Sequence, residues 1–203
     1  MESVLASGLS LSTYAFALKN FKELGVSSKL IQALEENNII TPTEIQQEAI
    51  PHLLQNGGDF IGQAQTGTGK TAAFGIPLLQ YVDPKIQKIQ GLVLAPTREL
   101  AKQIAKQLFR FARYSSERIF TEAVYGGDPI EKQRAALNRP THIVVATPGR
   151  LIDLLKINAL DLSGVHIAIL DEADEMLSMG FKKELETILE HLTVKRRTWL
   201  FSA

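Results

Sequence analysis

At 203 residues the chain is long enough to bury most of its surface in one domain, and its composition, 45% apolar and 22% charged, is that of a globular protein. The 22 basic and 22 acidic side chains cancel, so net charge neither favours nor excludes a nucleic-acid partner, for which a local basic stripe would suffice. The lack of cysteine excludes disulfides and thiolate metal sites and suits a reducing compartment.

The N-terminal segment, residues 1–18, is mildly apolar but lacks the basic start of a signal peptide, and serine and glycine interrupt it. We expect these residues to be a tail or an extra docking helix. No run of 18 apolar residues occurs anywhere in the chain, so we expect no membrane span and no membrane partner. Together with the lack of cysteine, this favours a cytoplasmic location.

Short apolar, β-rich runs alternate with segments of helical period from residue 59 onwards. Strands are predicted over 59–63, 91–95, 117–125, 142–146, 165–170 and 198–201. Helices are predicted over 71–81, 98–115, 129–137, 151–157 and 182–192. Continuous apolar strands separated by helices indicate a mostly parallel sheet covered on both faces, the doubly wound α/β fold. No repeat, low-complexity tract or linker divides residues 19–203, so we expect a single domain there.

A loop of small residues joins the first predicted strand to the first predicted helix. It consists of Ala64, Gln65, Thr66, Gly67, Thr68, Gly69, Lys70 and Thr71. Its backbone N–H groups can surround a triphosphate, while Lys70 supplies a cation for the β- and γ-phosphates and Thr71 a hydroxyl for Mg²⁺. Ala64 stands where the usual pattern has glycine, and a negative φ would accommodate it. The alternative, a glycine-rich turn that happens to precede a lysine, fits poorly between a strand and a helix.

Two carboxylates, Asp171 and Glu172, follow the strand predicted over 165–170. Ligand sites form at the carboxyl ends of parallel strands, so we expect both near the phosphate loop. Asp171 would hold Mg²⁺ through water, and Glu172 would orient or deprotonate an attacking water. The alternative is an acidic cap for the next helix, a role that suits Asp174. Together with the loop, the two carboxylates predict nucleotide hydrolysis.

Residues 21–203 carry these motifs in an order that resembles the N-terminal RecA-like domain of a DEAD-box ATP-dependent RNA helicase, and residues 171–174 spell the family's Asp-Glu-Ala-Asp motif. The resemblance implies ATP and Mg²⁺ as cofactors, RNA as a partner and catalytic roles for Lys70, Asp171 and Glu172.

Residues 41–46 are similar to the family's Q motif, which implies that Thr41 lies at the base site and that the Gln46 amide reads adenine. Phe21 stands where the family carries an aromatic residue that supports this site. Ile39 stands where many members have an aromatic residue, so we expect the base to pack on an aliphatic side chain. The alternative for Gln46 taken alone is an ordinary position on a helix surface.

Three further segments resemble the family's RNA-contacting motifs, and each directly follows a predicted strand. Their residues are Pro96, Thr97, Arg98, Glu99, Gly126, Gly127, Thr147, Pro148, Gly149 and Arg150. The resemblance implies hydrogen bonds to the RNA backbone, which carry no sequence information. The alternative for each segment is a turn or a helix cap, since Gly-Gly and Pro-Gly are turn formers.

The last two residues, Ser202 and Ala203, resemble the start of a family motif that couples the state of ATP to unwinding. The resemblance implies a second RecA-like domain in the same protein, which would supply arginines to the γ-phosphate and the other half of an RNA cleft. We therefore expect this stretch alone to bind nucleotide, to turn it over slowly and not to unwind RNA. Two rival hypotheses stay open: an RNA clamp that keeps ATP only as a ligand, and a P-loop ATPase that acts on DNA.

Overall fold

The centre of the molecule is one six-stranded sheet, seen in a computed structural model that describes residues 19–55 and 58–203. The tail expected over residues 1–18 lies outside the described residues. The strands are β1 Phe60–Gln63, β2 Gly91–Leu94, β3 Thr121–Val124, β4 Ile143–Ala146, β5 Ile167–Asp171 and β6 Arg197–Ser202. Their order is β1-β6-β5-β2-β4-β3, and every pairing between them is parallel. The doubly wound α/β prediction is confirmed, with a described sheet that is entirely rather than mostly parallel.

Helices cover both faces of this sheet. They are α1 Ser28–Glu36, α2 Glu44–Gln55, α3 Lys70–Tyr81, α4 Arg98–Phe111, α5 Ile130–Leu137, α6 Pro148–Lys156, α7 Ala173–Ser178 and α8 Lys182–Glu190, with a 3₁₀ turn at Ala112–Tyr114 after α4. Alternate residues of β2 enter two separate cores, Val93 under α1 to α4 and Leu92 under α6 to α8. Both faces are therefore apolar, which explains why β2, β4 and β5 as far as Leu170 form continuous apolar runs.

Several element boundaries differ from the predictions. The strand predicted over 117–125 covers only Thr121–Val124, because its one partner, β4, begins opposite Thr121. The helix predicted over 151–157 begins at Pro148 instead, because proline is well accommodated in the first turn of a helix. The helix predicted over 98–115 ends at Phe111 and tightens into the 3₁₀ turn.

Parallel strands bring all their carboxyl ends to one edge of the sheet. The phosphate loop after β1, the Asp171-Glu172 pair at the end of β5, and the loops after β2, β3 and β4 therefore lie along that edge. Among the described helices, none is long and apolar enough to cross a membrane.

Candidate functional site

The phosphate loop has the backbone that its glycines allow. Gly67 and Gly69 adopt φ values of +84° and +92°, in the left-handed region that favours glycine. Gly69 immediately precedes α3, so the free N–H groups at the start of that helix face the loop. The φ of Ala64 is not positive, which confirms that alanine fits there. The loop is thus shaped to bind an anion with its backbone.

A cavity of about 630 Å³ opens beside this loop. Its walls include Asn38, Ile39, Ile40, Thr41, Gln46, Thr66, Gly67, Gly69, Lys70, Thr71, Asp171 and Glu172. The volume lies within the range usual for sites that bind molecules of nucleotide size. The remaining loop residues, Ala64, Gln65 and Thr68, line a neighbouring cavity instead. The structure therefore brings the predicted metal residues and most of the predicted phosphate and base residues to a single cavity.

Lys70 and Asp171 are the buried charges of this cavity. Asp171 is only 3% exposed, and burial raises the pKa of its carboxyl to about 6 although the Lys70 ammonium opposes the rise. The Lys70 Nζ donates a hydrogen bond to the Ser202 carbonyl over 3.3 Å. A buried carboxylate of this kind gains from a cation, and the nearby Thr71 hydroxyl completes the oxygen donors that Mg²⁺ prefers.

Few protein ligands are available for such a metal. Within residues 19–55 and 58–203 no group of three His, Cys, Asp or Glu side chains could hold a metal ion by itself. Mg²⁺ does not need such a group, because it keeps several waters and takes one or two carboxylates together with phosphate oxygens.

Glu172 has an unusual backbone for a residue with a side chain. Its φ of 52° and ψ of 51° place it in the left-handed region between β5 and α7. Such a conformation costs on the order of 1–3 kcal/mol and is found most often at functional sites. The surrounding structure thus maintains a strained residue at the wall of the cavity.

Gln46 connects α2 to the phosphate loop. It is 2% exposed, its Oε1 accepts a hydrogen bond from the Thr43 N–H over 3.1 Å, and its Nε2 donates one to the Gly69 carbonyl over 3.0 Å. An amide oxygen has a second lone pair and an amide nitrogen a second hydrogen, so the predicted adenine contacts can be added to these bonds. Phe21 does not reach the cavity: it is buried in the core, so any part in base binding would be indirect.

The segment after β2 starts α4. The Thr97 hydroxyl accepts a hydrogen bond from the Leu100 N–H over 3.2 Å and so caps the helix. Arg98 is exposed, bonds the Glu99 carboxylate over 2.9 Å and lies against Gly127, where a Cβ would stand 2.8 Å from its Nη1. The predicted RNA residues of these two loops therefore do lie together.

Arg150, for which we predict a hydrogen bond to phosphate, is largely buried and contacts protein groups, while its Nε and Nη1 have no hydrogen-bond partner among the described residues. Its side chain is only 10% exposed, its Nη2 donates to the Asp128 carbonyl over 2.9 Å, and its Nε lies 3.9 Å from the Asp153 carboxylate. Arg150 thereby fastens the loop after β3 to α6. Thr147, by contrast, makes no capping bond with its side chain at the start of α6.

A second fastening of that loop was missed by reasoning from the sequence. The buried Gln133 amide accepts from the Tyr125 N–H over 3.1 Å and donates to the Tyr125 carbonyl over 2.9 Å. A single glutamine in a mixed helix carries no pattern that would have pointed to this role. The exposed pair Gly126 and Gly127 thus has an anchored residue directly before it.

The end of β6 touches the phosphate loop directly. The Ser202 carbonyl accepts from the Ala64 N–H over 3.0 Å as well as from Lys70, and the Ala203 N–H lies 3.4 Å from a carboxylate oxygen of Asp174. The two predicted coupling residues therefore contact both the loop and the acidic segment.

Comparison with known proteins gives a consistent result. A family model described as DEAD/DEAH box helicase matches residues 43–203. Two curated relatives, each named DEAD-box ATP-dependent RNA helicase CshA, from Bacillus cereus and Bacillus thuringiensis, are 48% identical over 186 residues, or 92% of this chain and 35% of theirs. The chain therefore spans about a third of the length of these relatives.

Solved structures agree with this match. A crystal structure of a DEAD box protein from the hyperthermophile Methanococcus jannaschii aligns with a TM-score of 0.85 at 41% identity, over 91% of this chain and 50% of that one. A hypothetical ATP-dependent RNA helicase from Sulfolobus tokodaii aligns with a TM-score of 0.77 at 40% identity, over 86% and 50%. The match of the family model to most of the chain, on this fold, shows that the chain belongs to the DEAD/DEAH box helicase family.

Proposed function

We propose that this chain is the first nucleotide-binding domain of an ATP-dependent RNA helicase. The observation that carries the proposal is the meeting of Lys70, Asp171 and Glu172 with the phosphate loop around one cavity. The two CshA relatives are named as ATP-dependent RNA helicases, which supports the same activity for the whole protein. The reducing compartment suited to a cysteine-free chain supports a cytoplasmic location.

In the proposed site the triphosphate lies on the loop, and the base lies toward Ile39, Thr41 and Gln46, which line the same cavity. Lys70 exchanges its hydrogen bond to the Ser202 carbonyl for bonds to phosphate oxygens, which are stronger because both partners are charged. Thr71 and Asp171 would hold Mg²⁺, which when bound neutralises charge on the phosphates.

Glu172 is the proposed catalytic base. Its carboxylate accepts a proton from the attacking water or orients that water toward the γ-phosphate. The left-handed backbone at Glu172 supports this role. Such a conformation costs free energy, and strained residues of this kind occur most often at functional sites. ADP and phosphate are the products.

The catalytic role is tested by Glu172→Gln against Glu175→Gln, which removes an exposed carboxylate three residues further along. We expect Glu172→Gln to bind Mg²⁺–ATP like the wild type and to slow single-turnover hydrolysis by about 10²-fold or more. The control variant should match the wild type in both measurements. Equal hydrolysis rates for all three proteins would remove Glu172 from the mechanism, and rates no faster than uncatalysed hydrolysis in all three would favour the ATP-bound clamp.

RNA is the proposed polymer, held by its backbone along the carboxyl edge of the sheet. Arg98, the Thr147 hydroxyl and the exposed N–H groups of Gly126 and Gly127 are the proposed donors to phosphate. Competition between RNA and DNA strands of matched sequence tests the choice of polymer. Equal affinity for both would favour the alternative of an ATPase that acts on DNA, because a site that reads the 2′-hydroxyl distinguishes them.

A further inference from the structure

Basic residues recur at every fourth position of α4. They are Arg98, Lys102, Lys106 and Arg110, and all four are exposed. Residues four apart lie on one ridge of a helix, so the four side chains form a line roughly 18 Å long. The only acidic residue of the helix is Glu99. We call these four basic residues the α4 ridge.

The charges of the α4 ridge are largely uncompensated. Arg98 bonds Glu99, and the Lys102 ammonium lies 4.5 Å from the centre of the Tyr125 ring. Within the described part of the chain, Lys106 and Arg110 make no hydrogen bond or ion pair. Like charges four residues apart repel each other and weaken a helix. Helix stability therefore does not explain the ridge, whereas an anionic ligand along it would.

Each end of the α4 ridge meets another surface that can bind an anion. Arg98 lies against Gly127, within the surface proposed above for RNA. At the other end Arg110 lines a cavity of about 810 Å³ together with Arg113 and Arg118. We call this second feature the arginine cavity. The α4 ridge thus joins the carboxyl edge of the sheet to a cationic cavity at the opposite end of α4.

The arginine cavity also offers a surface for a nucleobase. Its one carboxylate, Glu36, is already bound to Arg113 over 3.0 Å. Phe109 lines the same cavity with 59% of its surface exposed. An exposed aromatic ring among cations is the combination that binds single-stranded nucleic acid, through stacking on the ring and phosphate contacts around it.

We propose that the α4 ridge and the arginine cavity bind the backbone of an RNA segment that flanks the segment held at the carboxyl edge of the sheet. The proposal rests on the proposed function, since the same RNA strand would contact both the α4 ridge and the carboxyl edge of the sheet. Lys102, Lys106 and Arg110 each bind a phosphate, and a base stacks on Phe109. An acidic protein segment would match the charge too, but the start of the ridge at Arg98 favours RNA because a single strand then reaches both surfaces.

The test compares the affinities of a uridine hexamer and a uridine octadecamer for this chain, measured by fluorescence anisotropy with Mg²⁺–ATP present. The ridge variant carries Lys102→Gln, Lys106→Gln and Arg110→Gln. We expect it to bind the octadecamer about tenfold more weakly and the hexamer almost unchanged. The slope of log affinity against log salt for the octadecamer should fall by about 2, which is the value for three phosphate contacts on a single strand.

A matched control removes three charges elsewhere: Lys182→Gln, Lys183→Gln and Lys195→Gln, all at exposed positions outside α4. It should bind both oligonucleotides like the wild type. Circular dichroism checks that both triple variants keep their helices, and the ridge variant should melt no earlier than the wild type because its substitutions relieve repulsion.

Arg98→Gln separates failure of this proposal from failure of the proposed function. If it weakens both oligonucleotides while the ridge variant binds the octadecamer normally, the ridge proposal is wrong and the proposed RNA surface stands. If Arg98→Gln changes neither affinity, the RNA function itself loses its support. An equal loss in the control variant would show an effect of overall charge only and would overturn the proposal. So would a glutamate-rich peptide that displaces the octadecamer at lower concentrations than unlabelled octadecamer does.

Discussion

Asp171 ends β5 as a carboxylate buried on every side but the cavity, with a pKa raised from 3.8 to about 6 because burial disfavours its charge. Between these two values the folded chain binds a proton that the unfolded chain releases. The contribution of Asp171 to stability is therefore fully present below about pH 4 and is lost as pH rises through about 6. At neutral pH the site holds a charge that destabilises the empty domain.

Asp171→Asn should therefore stabilise the empty, metal-free chain near neutral pH. We expect the free energy of unfolding to rise by about 1–3 kcal/mol at about pH 7.5 and to be unchanged at about pH 4, where the wild-type carboxyl is protonated too. Urea titrations of both proteins with a chelator present measure the difference. A variant that is equally stable or less stable at the higher pH would contradict this assignment of the pKa. The same substitution should weaken Mg²⁺-dependent nucleotide binding.

Gly69 and Gly67 allow two effects in the phosphate loop to be separated. Both have a positive φ, but a Cβ on Gly69 would lie 2.3 Å from the Gln46 Nε2, whereas a Cβ on Gly67 meets no atom within 4 Å. Gly67→Ala should cost about 1–2 kcal/mol for the backbone alone. Gly69→Ala should cost more, and it should weaken ATP binding further because it displaces Gln46 from the loop.

A double variant checks that explanation by thermal unfolding and by calorimetric titration with ATP. Combining Gly69→Ala with Gln46→Ala removes the group that the new methyl meets, so the double variant should lose less stability than the sum of the two separate losses. Strictly additive losses would mean that the clash does not occur and that only the backbone of Gly69 matters.

The helix α4 depends on one residue for its start. Thr97 caps it through the Leu100 N–H, and the same residue belongs to the surface proposed for RNA. Thr97→Ala should lower the free energy of unfolding by about 1 kcal/mol, while Thr97→Ser, which keeps the hydroxyl, should change it by only a few tenths. Chemical denaturation measures both. If serine costs as much as alanine, the methyl group and not the cap stabilises this helix.

The elements that the sequence predicts well are those whose surroundings require one type of residue at every position. The strands β2, β4 and β5 are buried on both faces, so their residues form continuous apolar runs that are visible without a structure. The end of β3 depends on where β4 begins, which no local pattern records. The helix α7 is short and is preceded by Glu172 in a left-handed conformation, so its start was not predicted correctly. Asp174, the cap that the sequence suggests, lies inside this helix.

The chemistry of the site was predictable for a different reason. Lys70 must be a particular residue type at the start of the helix after β1, and Asp171 and Glu172 at the end of β5, so type and position together point to them. The hydrogen bonds by which Gln46 and Gln133 hold neighbouring loops could not be predicted, because a glutamine side chain can bond any nearby backbone group. The burial of Arg150 could not be predicted either, since it depends on contact with the loop at Asp128, which is distant in the sequence.

At the scale of the whole molecule, the cavity proposed for the nucleotide contains little positive charge. Lys70 is the only cation among the described residues that line it. Phosphoryl transfer gains several orders of magnitude from a further cation at the γ-phosphate. We expect these 203 residues to bind Mg²⁺–ATP with slow turnover that RNA barely increases. Fast RNA-stimulated release of phosphate from this stretch alone would contradict the expectation.

Nucleotide binding should nevertheless be visible in the stability of the whole domain. A ligand that binds only the folded state at 100 times its dissociation constant adds about 2.7 kcal/mol. Thermal unfolding with increasing Mg²⁺–ATP should therefore shift steadily upward for the wild type and barely at all for Lys70→Ala. A similar shift in both proteins would place the nucleotide away from the phosphate loop.

The pairing of β1 with β6 determines when, during synthesis, the phosphate loop can be held in its folded position. Among the described strands, β1 touches only β6, and the bond between Gln63 and Ala203 joins positions 140 residues apart. At about 5–20 residues per second, a ribosome needs roughly 7–28 seconds to make the chain between them. The phosphate loop is therefore synthesised well before β6, the strand whose Ser202 carbonyl bonds the loop at Ala64. We therefore expect a growing chain to retain no nucleotide on this loop until β6 has been made and has paired with β1.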